Sequence, residues 1–158
     1  MEIIELPGHS FDMAGFKTPD GSVFLADCLS SKETLAKYGI GYVWDIDQYM
    51  ETLKKVQTIK AAAFIPSHAA VTKDITELAQ FNLDTAQSLL DTIQRLCRSP
   101  ITFEELLQKL FLQYQMNMTI QQYGLIGSTI RSCLSSLHTK GRINIICEEG
   151  CIKWQTVQ

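Results

Sequence analysis

The apolar positions of the first hundred residues switch between two periods. Ile3, Ile4 and Leu6 form a short apolar cluster that predicts a strand. Two further runs, Met13 to Thr18 and Ser22 to Ala26, flank Pro19-Asp20-Gly21, a turn sequence that predicts a hairpin. Ser31 to Lys37 reads as a helix stopped near Gly39. From Asp45 to Thr58, Ile46, Tyr49, Met50, Leu53 and Val56 recur at helical spacing. Ala61 to Ile65 is a short apolar run halted by Pro66, which predicts a buried strand. Asp74 to Arg98 carries Leu78, Phe81, Ala86, Leu89, Leu90, Ile93 and Leu96, the pattern of a long amphipathic helix. Strands separated by helices predict an α/β layer arrangement.

Arg98-Ser99-Pro100-Ile101-Thr102 reads as a boundary between a unit at 1–98 and a unit at 99–158. Pro100 cannot continue a helix and pushes Ser99 towards an extended backbone. Thr102 followed by Glu105 is a capping-box pattern that starts a new helix. Beyond it the sequence predicts three helices: Phe103 to Tyr114, a short Thr119 to Tyr123 ended by Gly124, and Ser128 to Lys140 ended by Gly141. Two strands, Arg142 to Cys147 and Cys151 to Val157, are predicted around Glu148-Glu149-Gly150. Three helices and a β-hairpin are the element order of a winged helix.

Composition narrows the class. The chain has 158 residues, 46% hydrophobic and 20% charged, values of a globular protein with a real core. Fourteen basic against seventeen acidic residues give a net charge of -3, which excludes a generally basic nucleic-acid binder. The imbalance is local: residues 1–99 hold nine basic and thirteen acidic residues, residues 100–158 five and four. No run approaches the ~20 apolar residues of a membrane helix. Glu2 and Glu5 near Met1 do not fit a signal peptide. Five cysteines at irregular spacing do not make a disulfide framework. Together these readings predict a cytoplasmic, reduced protein with no membrane partner. Cys147 and Cys151 flank the predicted wing turn, where reduced thiols are favoured over a cross-strand disulfide or a zinc site.

Three stretches carry candidate chemistry: Leu6-Pro7-Gly8-His9-Ser10, Phe24-Leu25-Ala26-Asp27-Cys28 and Phe64-Ile65-Pro66-Ser67-His68-Ala69. Each puts one candidate metal ligand, His9, Asp27 or His68, just beyond a predicted strand. Two imidazoles and a carboxylate suit zinc, iron or manganese. Taken singly, a His after Pro-Gly is more often a turn residue, and an Asp after a strand more often a cap.

In order and spacing, the three stretches together resemble the later motifs of the metallo-β-lactamase superfamily. The resemblance covers about residues 1–97. It implies that His9 and His68 ligate metal and that Asp27 bridges two metals. The implied fold is the C-terminal half of an αββα sandwich, followed by the winged-helix-like unit. The implied activity is metal-assisted hydrolysis, with zinc the expected metal and a metal-bound hydroxide attacking an ester, thioester, lactam or phosphodiester. The substrate would be a small molecule or of nucleotide type. The family signature H-x-H-x-D-H is absent, and the chain holds three histidines, no two of them close. The resemblance therefore predicts a C-terminal fragment of a longer metallohydrolase, inactive alone.

The second unit also has a counterpart, because some superfamily members append a winged helix. Arg131, Lys140 and Arg142 are then the candidate nucleic-acid contacts. The weak net charge and the two carboxylates at the wing tip favour packing over groove binding. A half-sandwich would expose an inner sheet face, for which Ile4, Leu6, Val23, Leu25, Phe64 and Ile65 are the candidates. The expected cover is the missing N-terminal half or a second copy, most simply as a homodimer. The competing reading is a non-enzymatic interaction or regulatory module, a winged helix on a degenerate half-fold.

Overall fold

The computed structural model describes residues 1–157. Strands β1 (Glu2–Glu5), β2 (Ala14–Lys17) and β3 (Ser22–Ser30) form an antiparallel meander. Helices α1 (Lys32–Tyr38) and α2 (Ile46–Val56) then carry the chain over to β4 (Ala63–His68), which pairs parallel to β3. Helix α3 (Thr76–Leu96) follows. The α/β arrangement predicted from the pattern is the one observed.

Local chemistry explains most of the boundaries. Ser31 caps α1 by accepting from the Thr34 amide, and the Gly39 amide closes its end on the Leu35 carbonyl. Asp45 caps α2 by accepting from the Asp47 and Gln48 amides. The buried face of α2, with Ile46, Tyr49, Leu53 and Val56, packs with α3 over β3. The run at Ala61 does not stop at Pro66. Strand β4 lies at the edge of the sheet, where a residue without an N–H is tolerated, so the strand continues to His68.

The two faces of this sheet differ from expectation. Ile4, Leu6, Val23, Leu25 and Phe64 are buried in the core beneath the helices. The exposed face carries Ile3, Phe16, Phe24 and the half-buried Ile65, directly paired in register across all four strands. Of the six residues expected on the open face, only Ile65 has that parity. Both faces are apolar, so alternation alone did not say which one the helices cover.

The second half holds β5 (Ile101–Thr102), α4 (Phe103–Gln113), α5 (Ile120–Thr139), β6 (Ile143–Glu148) and β7 (Cys151–Thr156). Its strands form a separate sheet in the order β5-β7-β6. The capping box of Thr102 and Glu105 is formed. Helix α5 is continuous, where the sequence pattern predicts two helices. Gly124 and Gly127 each cost a helix about 1 kcal/mol relative to Ala. The burial of Ile126, Ile130, Cys133, Leu134 and Leu137 on one face of α5 offsets that cost. The β6–β7 turn places Glu149 and Gly150 at φ of 51° and 76°, as a tight two-residue hairpin requires. Cys147 pairs with Ile152 and Cys151 with Glu148, so the two cysteines face opposite sides of the ribbon and cannot bridge.

Buried residues of both halves, among them Leu89, Ile93, Leu107, Leu110 and Ile130, form one continuous core. Helix α5 also reaches the α1–α2 connection through a row of hydroxyls. Thr129 accepts from the Val43 amide at 2.8 Å, Ser132 from the Ile46 amide at 2.8 Å, and Ser136 donates to Asp47 at 2.8 Å. No helix among the described residues is long and apolar enough to cross a membrane.

Candidate metal centre

His9 sits in the turn after β1, on a backbone held from several sides. The Gly8 carbonyl accepts from the Trp44 and Asp45 amides at 2.9 and 3.0 Å, and the Pro7 carbonyl from the Thr52 hydroxyl at 2.6 Å. Gly8 has a φ of 121°, and a Cβ there would lie 2.2 Å from the Tyr49 amide nitrogen. Only glycine lets this turn lie against the start of α2, which aims His9 inward.

Asp27 lies inside β3, not on a loop beyond it. Pairing with β4 slips between Phe24 and Ala26 and again between Ala26 and Ser30. Ala26 adopts a φ of 48°, an uncommon conformation for a residue with a Cβ. This irregular stretch takes Asp27 off the regular ladder and turns it towards the histidines. His68 is the last residue of β4, and its carbonyl accepts from the Ser31 amide at 2.9 Å.

The three sequence-predicted ligands therefore come together. His9 Nε2 lies 3.8 Å from Asp27 Oδ2, and His68 Nε2 lies 3.4 Å from Asp27 Oδ1. Each carboxylate oxygen faces a different imidazole. Both separations exceed a hydrogen bond. Two ligands each ~2.1 Å from a tetrahedral zinc would lie ~3.4 Å apart, a spacing that the His68–Asp27 pair matches and the His9–Asp27 pair exceeds. The side chains are 25%, 40% and 51% exposed for His9, Asp27 and His68, so solvent and substrate can reach them. Among the described residues, no group of three or more His, Cys, Asp or Glu side chains is placed to hold a metal ion as a set.

Burial pushes the His9 pKa below its usual value. The Asp27 charge opposes this, the His68 ring reinforces it, and a backbone hydrogen bond with Tyr42 opposes it again. The neutral imidazole is the metal-binding form. The Tyr42 ring meets His9 edge-on, with centroids 5.3 Å apart. Cys28 points into the core, and burial raises its thiol to about 12, so it is neither a ligand nor a nucleophile here.

The other candidate residues are used within the fold. Arg131 stacks over the Phe103 ring at 3.8 Å. Lys140 pairs with Asp47, and Arg142 bonds Gln94 and lies 3.4 Å from Asp91. Sequence reading missed Asn82. This buried residue accepts from the Ser30 amide and the Tyr49 hydroxyl, and donates to the Ser30 carbonyl. It ties the end of β3 to α2 and α3 beside the centre. Its one sequence signal is an amide on the apolar stripe of α3.

The centre opens into a cavity of about 650 Å³. Its lining includes His9, Asp27 and His68 together with Leu125, Ile126 and Thr129 of α5.

No family model matches the chain. A curated relative, the atrochrysone carboxyl ACP thioesterase of Aspergillus fumigatus, is 29% identical over 82 residues, 51% of this chain and 24% of that protein. Two solved structures match over 98% of the chain. They are a metallo-beta-lactamase family protein from Thermus thermophilus, with a TM-score of 0.76 at 16% identity, and a beta-lactamase domain protein from Burkholderia ambifaria, with 0.81 at 15%. The chain spans 48% and 46% of their lengths. Residues 1–157 thus have the mixed α/β fold that these metallo-beta-lactamase-type structures display over about half of their chains.

Proposed function

We propose that this chain is part of a metal-dependent hydrolase, with His9, Asp27 and His68 as metal ligands and zinc as the metal. The convergence of two imidazoles on the two oxygens of one carboxylate carries this reading. The fold shared with metallo-beta-lactamase-type structures and the thioesterase relative support it. A divalent ion held there supplies Lewis acidity and lowers the pKa of water. The chain's own residues do the rest. Gly8 and the start of α2 aim His9. Asp27 offers one oxygen to each side, and the open edge at His68 admits substrate.

The same reading assigns residues 99–158 to a winged-helix-like unit, supported by the β6–β7 hairpin and the β5-β7-β6 sheet, with two helices, α4 and α5, where the sequence pattern predicts three. Its role is packing against the hydrolase unit, since its basic groups are engaged internally. The exposed row of Ile3, Phe16, Phe24 and Ile65 is the surface for the rest of a longer hydrolase or, when the chain stands alone, for a second copy.

Competition with a chromogenic chelator tests the centre. The chain is expected to bind zinc, and Asp27→Ala and His68→Ala to weaken it by more than about 100-fold each, beyond the ~10–100-fold that the loss of an outer-shell partner costs. Equal zinc affinity in the wild type and a variant lacking all three side chains would remove the metal reading.

A further inference from the structure

Resting on the reading of the centre as metal-holding, we propose that the adjoining cavity binds the apolar acyl group of an uncharged ester or thioester. The second half of the chain would supply the wall that selects it. The cavity is continuous with the three ligands, and its 650 Å³ lies within the size range of small-molecule sites. Away from the ligands its surface is mostly apolar, with Glu33, Thr34, Lys37, Thr85 and Gln122 among its polar side chains. Val43 and Ile46 come from the start of α2, Ala86 and Leu89 from α3, and Leu125 and Ile126 from α5. Two of its polar groups are already satisfied. Asn82 is used by Ser30 and Tyr49, and Thr129 by the Val43 amide and the Gly41 carbonyl. They ask nothing of a ligand, and a hydrocarbon or aryl group can cover them without leaving a buried group unpaired.

Charge argues against a phosphodiester. Apart from the two histidines, the only cation on the cavity wall among the described residues is Lys37, whose ammonium sits over the Tyr38 ring at 4.9 Å. Asp27 and Glu33 place two carboxylates on the same wall. A nucleic-acid backbone needs a cation for its phosphates, and Arg131, Lys140 and Arg142 do not line this cavity. An acyl ester needs none. Its hydrolysis forms a bond from the water oxygen to the acyl carbon. The bond from that carbon to the alcohol oxygen or thiol sulfur breaks, and the leaving group takes up a proton. One water is consumed and no redox partner is required.

The test uses 2-naphthamide, an uncharged aryl acyl group that resists hydrolysis, titrated calorimetrically into the full chain with and without zinc. Saturable binding is expected in both conditions. Leu125 is 46% exposed on the cavity side of α5, so Leu125→Lys is compatible with folding and is expected to weaken binding by about ten-fold or more. Leu125→Ser provides a milder change at the same position. Ile120→Lys, on the same helix at a position 85% exposed and away from the cavity, is expected to bind as the wild type does. His68→Ala is expected to lose zinc while keeping the amide. Affinity for the amide that is unchanged by both Leu125 variants would overturn the acyl pocket and point to the exposed sheet face. Displacement of the amide by a single-stranded oligonucleotide at physiological salt would overturn it too. A wild-type chain that binds the amide but no zinc would instead count against the metal centre, so the two failures are separable.

Discussion

At the scale of single residues, the centre depends on a few groups that make no claim to chemistry themselves. Asn82 is the clearest. Its amide satisfies the Ser30 N–H and C=O and accepts from the Tyr49 hydroxyl, all beside the cavity. Replacing it with Ala would leave the buried Tyr49 hydroxyl and the part-buried Ser30 groups without these partners, at a penalty of about 1–3 kcal/mol. Urea denaturation of Asn82→Ala should show its midpoint lowered accordingly, whereas Asn82→Asp at low pH, where the carboxyl is protonated, should recover part of the loss. A midpoint equal to that of the wild type would mean that Ser30 and Tyr49 find other partners. Gly8 and Ala26 work differently. Each holds a positive φ immediately before a ligand, so the chain accepts an uncommon backbone where it aims His9 and Asp27.

At the scale of elements, helix α5 joins the second half to the centre. Thr129, Ser132 and Ser136 recur at helical spacing and bind the segment from Val43 to Asp47. That segment's Trp44 and Asp45 amides in turn hold the Gly8 carbonyl beside His9. The end of this row has a pH dependence with a definite sign. Burial pushes the Asp47 carboxyl up, but hydrogen bonds from Lys140 and Ser136 and the Lys140 charge outweigh it and hold the carboxyl below its ordinary value. A carboxyl with a depressed folded pKa stabilises the fold fully above its unfolded pKa and loses that contribution as pH falls through the folded value. The stability difference between wild type and Asp47→Asn should therefore be present at about pH 6 and shrink progressively as pH falls below the ordinary carboxylate range of about 4. The pair is nearly half exposed, so solvent screening keeps the difference under about 1 kcal/mol. A difference that grows on acidification would reverse the assignment. The hydroxyl row also marks where the sequence stopped being legible. The capping box and the turn at Pro19-Asp20-Gly21 are local signals, and they read correctly; the three ligand stretches come together in space, but Asp27 and His68 lie within strands and not beyond them. The continuity of α5 through Gly124 and Gly127 is decided by burial against the rest of the molecule, and a glycine signal carries no information about that. Pro66 misled for the same reason, since the sequence does not say which strand lies at an edge.

At the scale of the whole molecule, one apolar surface lacks a cover. Ile3, Phe16, Phe24 and Ile65 form a row one residue wide across the four strands, and the first three are exposed. The opposite face of the same sheet is sealed by α2 and α3. A β-sheet reading apolar on both faces is a sheet built to be buried on both. The solved structures of this fold are about twice as long as the chain, which leaves ample protein to lie over the row in a longer molecule. When the chain stands alone, the simplest cover is the same row from a second copy, related by a two-fold axis with the sheets about 10 Å apart. Sedimentation equilibrium at low micromolar concentration is expected to give a dimer. Phe16→Lys and Phe24→Lys together would put two cations at the centre of the row. Their burial in an interface is unfavourable, while in a monomer they would stand in water at little cost. The double variant is therefore expected to sediment as a monomer with its far-UV circular dichroism unchanged. The variant keeps His9, Asp27 and His68, so it should still bind zinc and 2-naphthamide as the wild type does. A wild-type chain that remains monomeric would mean that the row stays in water. A double variant that remains dimeric would place the interface elsewhere.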